Sequence, residues 1–424
     1  MKKTLLLLIL FFSSYIRAQN VNIPDANFKN ALLDHGVTIT GEGVSKIDIN
    51  DDGEIQVTEA TAYAGTINVV AKNISDLSGI EAFINVTELW CSQNQLTALN
   101  LTQNTALVKL SCFLNQLATL NLSQNTQLEF LGCSHNQLTN LDLSQNTVLN
   151  DLSCFSNQLT SLNITNNTLL TSLNCALNAL TTLNINQNVN LTHLSCSDNQ
   201  ITNLDITANT VLEYLICSSN QLTSLDCSNN PLLKGIYCER NHLNSLNISQ
   251  NTALETFWCY SNSLTSLDVS QNTVLKNFWC YSNNLFNLNL ANGNNNLLIY
   301  LNATDNPNLS CIQIDNGFTI PSSDWEKDAT ASYNTYCALS TDDFEFSKQF
   351  TVYPNPVKDV LNIQNNEGIT VKKYTILDVN GRILINQSKE IQNNSINFSS
   401  LSNGTYFIQI ETEKGLVTKK IIKE

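Results

Sequence analysis

Thiols are the groups in this chain with the most chemistry on offer. Of its 13 cysteines, ten recur at intervals of 21 residues without a slip: Cys91, Cys112, Cys133, Cys154, Cys175, Cys196, Cys217, Cys238, Cys259 and Cys280. Ten thiols in a file would suit redox exchange or a soft metal. The spacing suits neither, because no CxxC pair occurs anywhere and a zinc site needs clustered ligands. A free cysteine otherwise behaves as a small buried hydrophobe, and Cys227 behaves that way in sequence. It falls ten residues after Cys217, where other periods place Leu101, Leu122, Ile164 or Ile206. The ladder is therefore expected to be packing.

Other catalytic constellations are missing from the sequence. His35, His135, His193 and His242 stand at unrelated positions, and no GxSxG or HExxH signature appears. Asp142, Asp205, Asp226 and Asp268 share one column with Asn100 and Asn121, so they read as one variable polar position rather than paired carboxylates. The chain is expected not to be an enzyme. One segment does carry a metal pattern. Residues 48–59 match the twelve-residue EF-hand loop, with Asp48, Asn50 and Asp52 as side-chain oxygens and Gly53 at the sharp turn. Glu54 would offer its carbonyl, Gln56 holds the ninth position, and Glu59 would close the site bidentately. A structural Ca²⁺ is the cofactor expected, although the preceding Gly41–Ile47 is a poor entering helix.

The elements that position these residues follow from the period. Aligned on the cysteine, Leu, Ile or Phe stands two before it, Asn three after, and Leu or Ile five after in most coils. The second half of each period repeats this logic, as in Leu117, Leu120, Leu122 and Asn125. Alternation of polar and apolar residues up to the cysteine predicts a short strand with one buried face, and a fixed period near 20 predicts that such strands stack as a parallel sheet. The pattern LxxLxCxxNxLxxL resembles the nested 21-residue class of bacterial leucine-rich repeats over roughly residues 87–306. That resemblance implies a solenoid of about ten to eleven coils used for binding. The two Asn columns fall where the chain must turn and are expected to bond neighbouring backbone.

Side chains one before, one after and three before the cysteine should face outward, forming the concave surface. Early coils carry mostly Ser, Gly, Asp and Lys there, with Trp90, Phe113, Phe130 and Phe155 scattered among them. The last four coils place Tyr214, Ile216, Tyr237, Trp258, Tyr260, Trp279 and Tyr281 on neighbouring strands, with Glu239 and His193 as polar neighbours. Exposed aromatic clusters of this kind bind protein or stack on sugar rings, and this one is the expected ligand-binding face.

The ends are of another character. Residues 1–18 combine two lysines with an apolar stretch and read as a secretory signal peptide. Residues 19–86 form an amino-terminal cap with the calcium loop and an irregular first repeat, and residues 307–338 a carboxy-terminal cap. Cys311 and Cys337 are off the period, and in an oxidising compartment they are the expected disulfide. Cys-bounded caps of this kind resemble those of exported, Bacteroidetes-like repeat proteins. A polar linker, 339–348, precedes a change in charge. The net charge is -15 overall, with +2 from Gln349 onward and -17 before it, which argues against nucleic acid. No apolar run after the leader reaches the length of a membrane span.

Residues 349–424 alternate as short strands and carry Tyr353-Pro354-Asn355-Pro356, a Gly381-Arg382 hairpin and Gly404-x-Tyr406. The combination resembles the carboxy-terminal sorting domain of the type IX secretion system. It implies that system's machinery as a partner and delivery outside the cell, free or surface-attached. The function expected is binding of a macromolecule, most simply a protein, in adhesion. A carbohydrate-binding accessory of secreted hydrolases and a structural protein of the surface matrix are the alternatives.

Overall fold

The computed structural model describes residues 19–321, 323–337, 349–365, 369, 371–379, 382–387, 395–412 and 416–424. The leader (1–18), the linker (339–348) and Gly381 lie outside the described residues. Two compact units result, residues 1–335 and 336–424.

Each period of the first unit folds as one coil. A three-residue strand ends just before each ladder cysteine, from Glu88–Trp90 and Lys109–Ser111 to Tyr214–Ile216, Gly235–Tyr237, Thr256–Trp258 and Asn277–Trp279. These strands pair in parallel and in register within a sheet of 13. The sheet outruns the regular repeats at both ends, opening with Thr66–Asn68 and closing with Tyr300–Ala303 and Trp325–Lys327. A second, four-stranded parallel sheet, made of Ser266–Asp268, Asn287–Asn289, Cys311–Gln313 and Ser332–Asn334, runs along the other half of the last coils.

The core is one continuous file. Leu89, Leu110, Leu131 and their successors, the ladder cysteines, and Ala303 in the cysteine column are all buried. Burial pushes every ladder thiol up, to about 12 for Cys112, Cys154 and Cys196, and does the same to Cys227 in the other half of its coil. Each burial of a Leu-sized side chain contributes on the order of 1.5–3 kcal/mol, largely offset by chain entropy.

Asparagines satisfy the turns. Asn115 Nδ2 donates to the carbonyls of Cys91 and Cys112, both at 3.1 Å, and its Oδ1 accepts from Leu96 N at 3.0 Å. The same three bonds recur coil after coil to Asn306. In the second column Asn125 Nδ2 donates to Leu101 O and Asn104 O. Removing one amide would strand several buried backbone groups at about 1–3 kcal/mol each. The residue just before each first-column Asn is left-handed without being Gly, with φ near 51–57° from Gln93 through Ser282; the asparagine bonds offset a cost of roughly 1–2 kcal/mol per turn.

At the amino-terminal end, Asp25 caps helix Ala26–Leu33 by accepting from Asn27 N and Phe28 N. Fully buried His35 joins the helix to the sheet: Nδ1 donates to Ala31 O at 2.6 Å, and Nε2 accepts from Asn68 N on the first strand at 2.9 Å. That pairing defines a neutral tautomer, and burial holds its pKa below the ordinary value.

The second unit holds a three-stranded antiparallel sheet, Phe350–Tyr353, Val360–Asn365 and Ser395–Asn397, and a four-stranded one. The latter is ordered Ile383–Gln387, Val371–Asp378, Gly404–Thr412, Leu416–Lys423. Phe350, Ile363, Ile376, Phe398, Tyr406 and Ile408 share its core.

Candidate functional site

Strand register turns the outward residues into rows. One residue before the ladder position, Ile216, Tyr237, Trp258, Trp279, Asn302 and Glu326 follow one another across six strands. Three before it run His193, Tyr214, Gly235, Thr256, Asn277 and Tyr300. One after it lie Glu239, Tyr260 and Tyr281.

All seven residues predicted for the ligand face come together here, each half-buried against its neighbours. Trp258 and Trp279 stack at 4.4 Å with planes 5° apart, and Tyr260 and Tyr281 at 4.3 Å and 8°. Tyr237 meets Trp258 edge-on at 4.9 Å, and His193 stacks on Tyr214 at 5.0 Å. Centroid distances this close to the strand spacing mean that the rings stack along the solenoid. The Trp258–Trp279 and Tyr260–Tyr281 pairs each spend one face per ring on the partner and turn their edges outward, whereas Tyr237 stands edge-on to Trp258.

Gly235 is what lets the cluster close. A Cβ there would come within 2.9 Å of both the Tyr214 and Tyr237 rings, so the two tyrosines fill the room left by the missing side chain. Glu239 is the buried polar member, 8% exposed, with Oε2 lacking a hydrogen-bond partner, as does Trp258 Nε1. Desolvation raises the Glu239 pKa. Beside the cluster, Glu213–Lys234 at 2.6 Å and Glu255–Lys276 at 2.7 Å neutralise one another. Sequence reading found the rings and Glu239, but not Gly235 or the polar end of the rows at Asn302 and Glu326. Extending the column alignment past Cys280 would have shown the latter.

The early coils carry a smaller group: Trp90 and Phe130 lie 5.9 Å apart across the intervening strand, and Phe155 meets His135 at 4.7 Å.

The loop of residues 48–59 is closed by its own hydrogen bonds. Asp48 accepts from Asp52 N and Gly53 N, and Glu59 from Ile49 N and Gln56 N. The Gln56 amide donates to both Asp52 oxygens, and Asn50 Nδ2 donates to Asp52 and to Gln56 Oε1. Gly53 has φ 77° and open space where a Cβ would be, so the sharp turn is present. Glu54 is turned to Lys29 at 2.6 Å. The donor types suit Ca²⁺, but in this arrangement two side-chain amides stand where a cation would. Among the described residues no three His, Cys, Asp or Glu side chains are disposed to hold a metal.

Cys311 and Cys337 are disulfide-bonded, and the other eleven cysteines are free and buried. In the second unit, Asn355 Oδ1 accepts from Ile422 N and its Nδ2 donates to Lys420 O, both at 2.8 Å. The Tyr353–Pro356 motif is thereby tied to the last strand. Tyr406 OH donates to Ser402 O at 2.7 Å, two residues before Gly404 opens the strand. Arg382 pairs with Asp378 at 3.1 Å, closing the hairpin from its exposed side. Tyr353, Pro354 and Pro356 are exposed.

Comparison with known proteins agrees with this geometry. Residues 351–424 match the family described as the secretion system C-terminal sorting domain. The functional domain of InlJ from Listeria monocytogenes, which includes a cysteine ladder, is 26% identical; the match covers 96% of this chain and 98% of that one, with a TM-score of 0.61. An internalin (inlF) from Listeria monocytogenes shares the fold at 16% identity and TM-score 0.53, over 77% of this chain and 100% of that one. No curated protein matches the chain. The molecule is a leucine-rich repeat solenoid followed by a type IX sorting domain, whose tail implies export to the surface or the medium.

Proposed function

We propose that this is an exported adhesion or interaction protein whose solenoid binds another protein through the aromatic end of its concave face. The observation that carries the reading is the joined set of Tyr214, Tyr237, Trp258, Tyr260, Trp279 and Tyr281 on consecutive coils. Interfaces concentrate their energy in Trp and Tyr held by well-packed surroundings. The carbohydrate reading fits less well, because stacking on a pyranose needs a free ring face and the Trp258–Trp279 and Tyr260–Tyr281 pairs spend one face of each ring on its partner. In the full-length chain, Trp258→Ala with Trp279→Ala is expected to weaken capture of surface-protein ligands at least ~100-fold by removing two central anchors of roughly 2 kcal/mol each. Circular dichroism should stay unchanged. Retained protein binding, or binding only on a glycan array, would remove the reading.

Residues 48–59 are proposed to take a structural Ca²⁺, with the Asn50 and Gln56 amides turning their oxygens inward to join Asp48, Asp52 and the bidentate Glu59. Saturation at 100 times the dissociation constant would stabilise the cap by about 2.7 kcal/mol. Calcium is therefore expected to raise the thermal midpoint of the wild type, but not of Asp52→Ala with Glu59→Gln; equal midpoints in calcium and EDTA for the wild type would end the proposal.

A further inference from the structure

The aromatic stack has an open end. Beyond Trp279 its row continues with Asn302 and then Glu326, each one strand further on. By the same register, Thr304 and Asp328 follow Tyr281, and Asp324 follows Tyr300. Glu326 stands on this outward face with Asp324 beside it, while Asp328 turns both carboxylate oxygens to the backbone, accepting from Asp305 N at 3.0 Å and from Asn306 N at 2.7 Å. Short polar side chains, Asn302 and Thr304, thus lie between an aromatic wall and the Glu326 carboxylate. Two strand spacings, about 9.6 Å, separate the backbones carrying Trp279 and Glu326. A planar cation stacked over Asn302 on the Trp279 face turned away from Trp258, at roughly 3.5–4 Å, would bring an N–H within reach of the carboxylate at about 2.8 Å. Asn302 Nδ2 donates to Glu326 Oε2 at 2.8 Å and so orients it over this floor.

A second observation lies in the same face. Residues one after a ladder position touch those one before the next, as Ser92 meets Ser111, Ser134 meets Ser153, and Tyr260 meets Trp279. Glu239 stands in that relation to Trp258. Its carboxyl is buried and bonded to Ser218, with Arg240 next in the chain, but Oε2 has no partner, and an unpaired buried oxygen is relieved by a bound donor. The surrounding charge is predominantly negative: residues 19–348 carry nine Lys+Arg, Arg240 and Lys327 among them, against 29 Asp+Glu, a net of -20. Three lysines of this sheet, Lys109, Lys234 and Lys276, are already paired with Glu88, Glu213 and Glu255.

We infer that the partner presents a basic polypeptide segment to this face, with one arginine side chain seated between Trp279 and Glu326. The inference rests on the protein-binding reading and gives that partner its chemistry. The probe is a synthetic Gly/Ser peptide carrying three arginines, titrated into the full-length chain by calorimetry. Matched peptides place citrulline or glutamate at the same positions.

The arginine peptide is expected to bind, the citrulline and glutamate peptides at least ~10-fold more weakly, since charge-assisted and cation–π contacts are each worth about 1 kcal/mol or more. Glu326→Gln and Trp279→Ala should each weaken the arginine peptide by about tenfold, Glu239→Gln should also weaken it, and Trp90→Ala should leave it unchanged. Citrulline binding as well as arginine, or an affinity indifferent to Glu326→Gln, would overturn the inference. Protein capture that is lost in the Trp258/Trp279 variant yet untouched by Glu326→Gln would leave the protein-binding reading standing and remove the arginine seat.

Discussion

Raising the pH from 8 to 10 should unfold the repeat unit under reducing conditions. Eleven free thiols are buried in its core, and their pKa values are pushed from an ordinary 9.0 to about 12 for Cys112, Cys154, Cys196 and Cys227, with the others also raised. The cause is desolvation, which penalises the thiolate in the apolar file. A thiol whose folded pKa lies above its unfolded value contributes stability that is complete below the unfolded value. That stability is lost as pH climbs from there toward the folded one. The window therefore opens near pH 9 and extends to about 12. Each thiol forfeits about 1.4 kcal/mol per pH unit inside it, so eleven acting together withdraw roughly 15 kcal/mol at pH 10, as much as a whole domain commonly possesses.

Urea midpoints followed by circular dichroism at pH 7, 8, 9 and 10 would check this. Alkylation by iodoacetamide should track unfolding and be absent before it. Replacing ladder cysteines with alanine, which already occupies the column at Ala303, should flatten the pH dependence in proportion to the number replaced. A urea midpoint that holds constant from pH 8.5 to 10 would contradict the account.

The same column shows how far the sequence could be read. A period of 21 with Leu two before and Asn three after the cysteine dictates a coil, and the structure has those residues buried and those asparagines bridging successive turns. The wide column tolerance at Cys227, Ile206 and Leu101 correctly announced packing. Strand count was legible only where the period holds. Thr66–Asn68 and Trp325–Lys327 join the sheet because backbone pairing needs an extended neighbour, not a matching side chain, and so they leave no mark in the repeat. The left-handed residue before each Asn was hidden for a different reason: Leu114, His135, Ser156 and Arg240 share no chemistry, since the turn is imposed by the asparagine bonds rather than by the residue that adopts it.

At the candidate site the identities were legible and the geometry was not. Column alignment collected the aromatic residues, yet whether rings offer faces or edges depends on side-chain torsions that no spacing encodes. Gly235 looked like a gap in a row, and only the two tyrosines leaning over it show that the gap is used. For the calcium loop the ligand types were legible, while the hydrogen bonds that close it among Asn50, Asp52 and Gln56 were not.

Deleting residues 350–424 should abolish delivery to the cell surface while leaving the solenoid folded. The separation follows from the architecture, because residues 336–424 have their own core and their own two sheets. Within that unit the sequence motifs divide by role. Asn355 is committed to the last strand through Lys420 and Ile422, and the Tyr406 hydroxyl to Ser402, so both hold the sandwich together. Tyr353, Pro354 and Pro356 are exposed beside them, which makes that rim the part available to export machinery. Cell fractionation in a host with type IX export should find the truncated chain retained in the periplasm, and a periplasmic reporter fused to residues 339–424 should move outward in its place. Surface delivery that survives the deletion would show that export is read from the solenoid. If the reporter stays inside while the deletion blocks export, the tail is necessary but must act together with signals upstream of it.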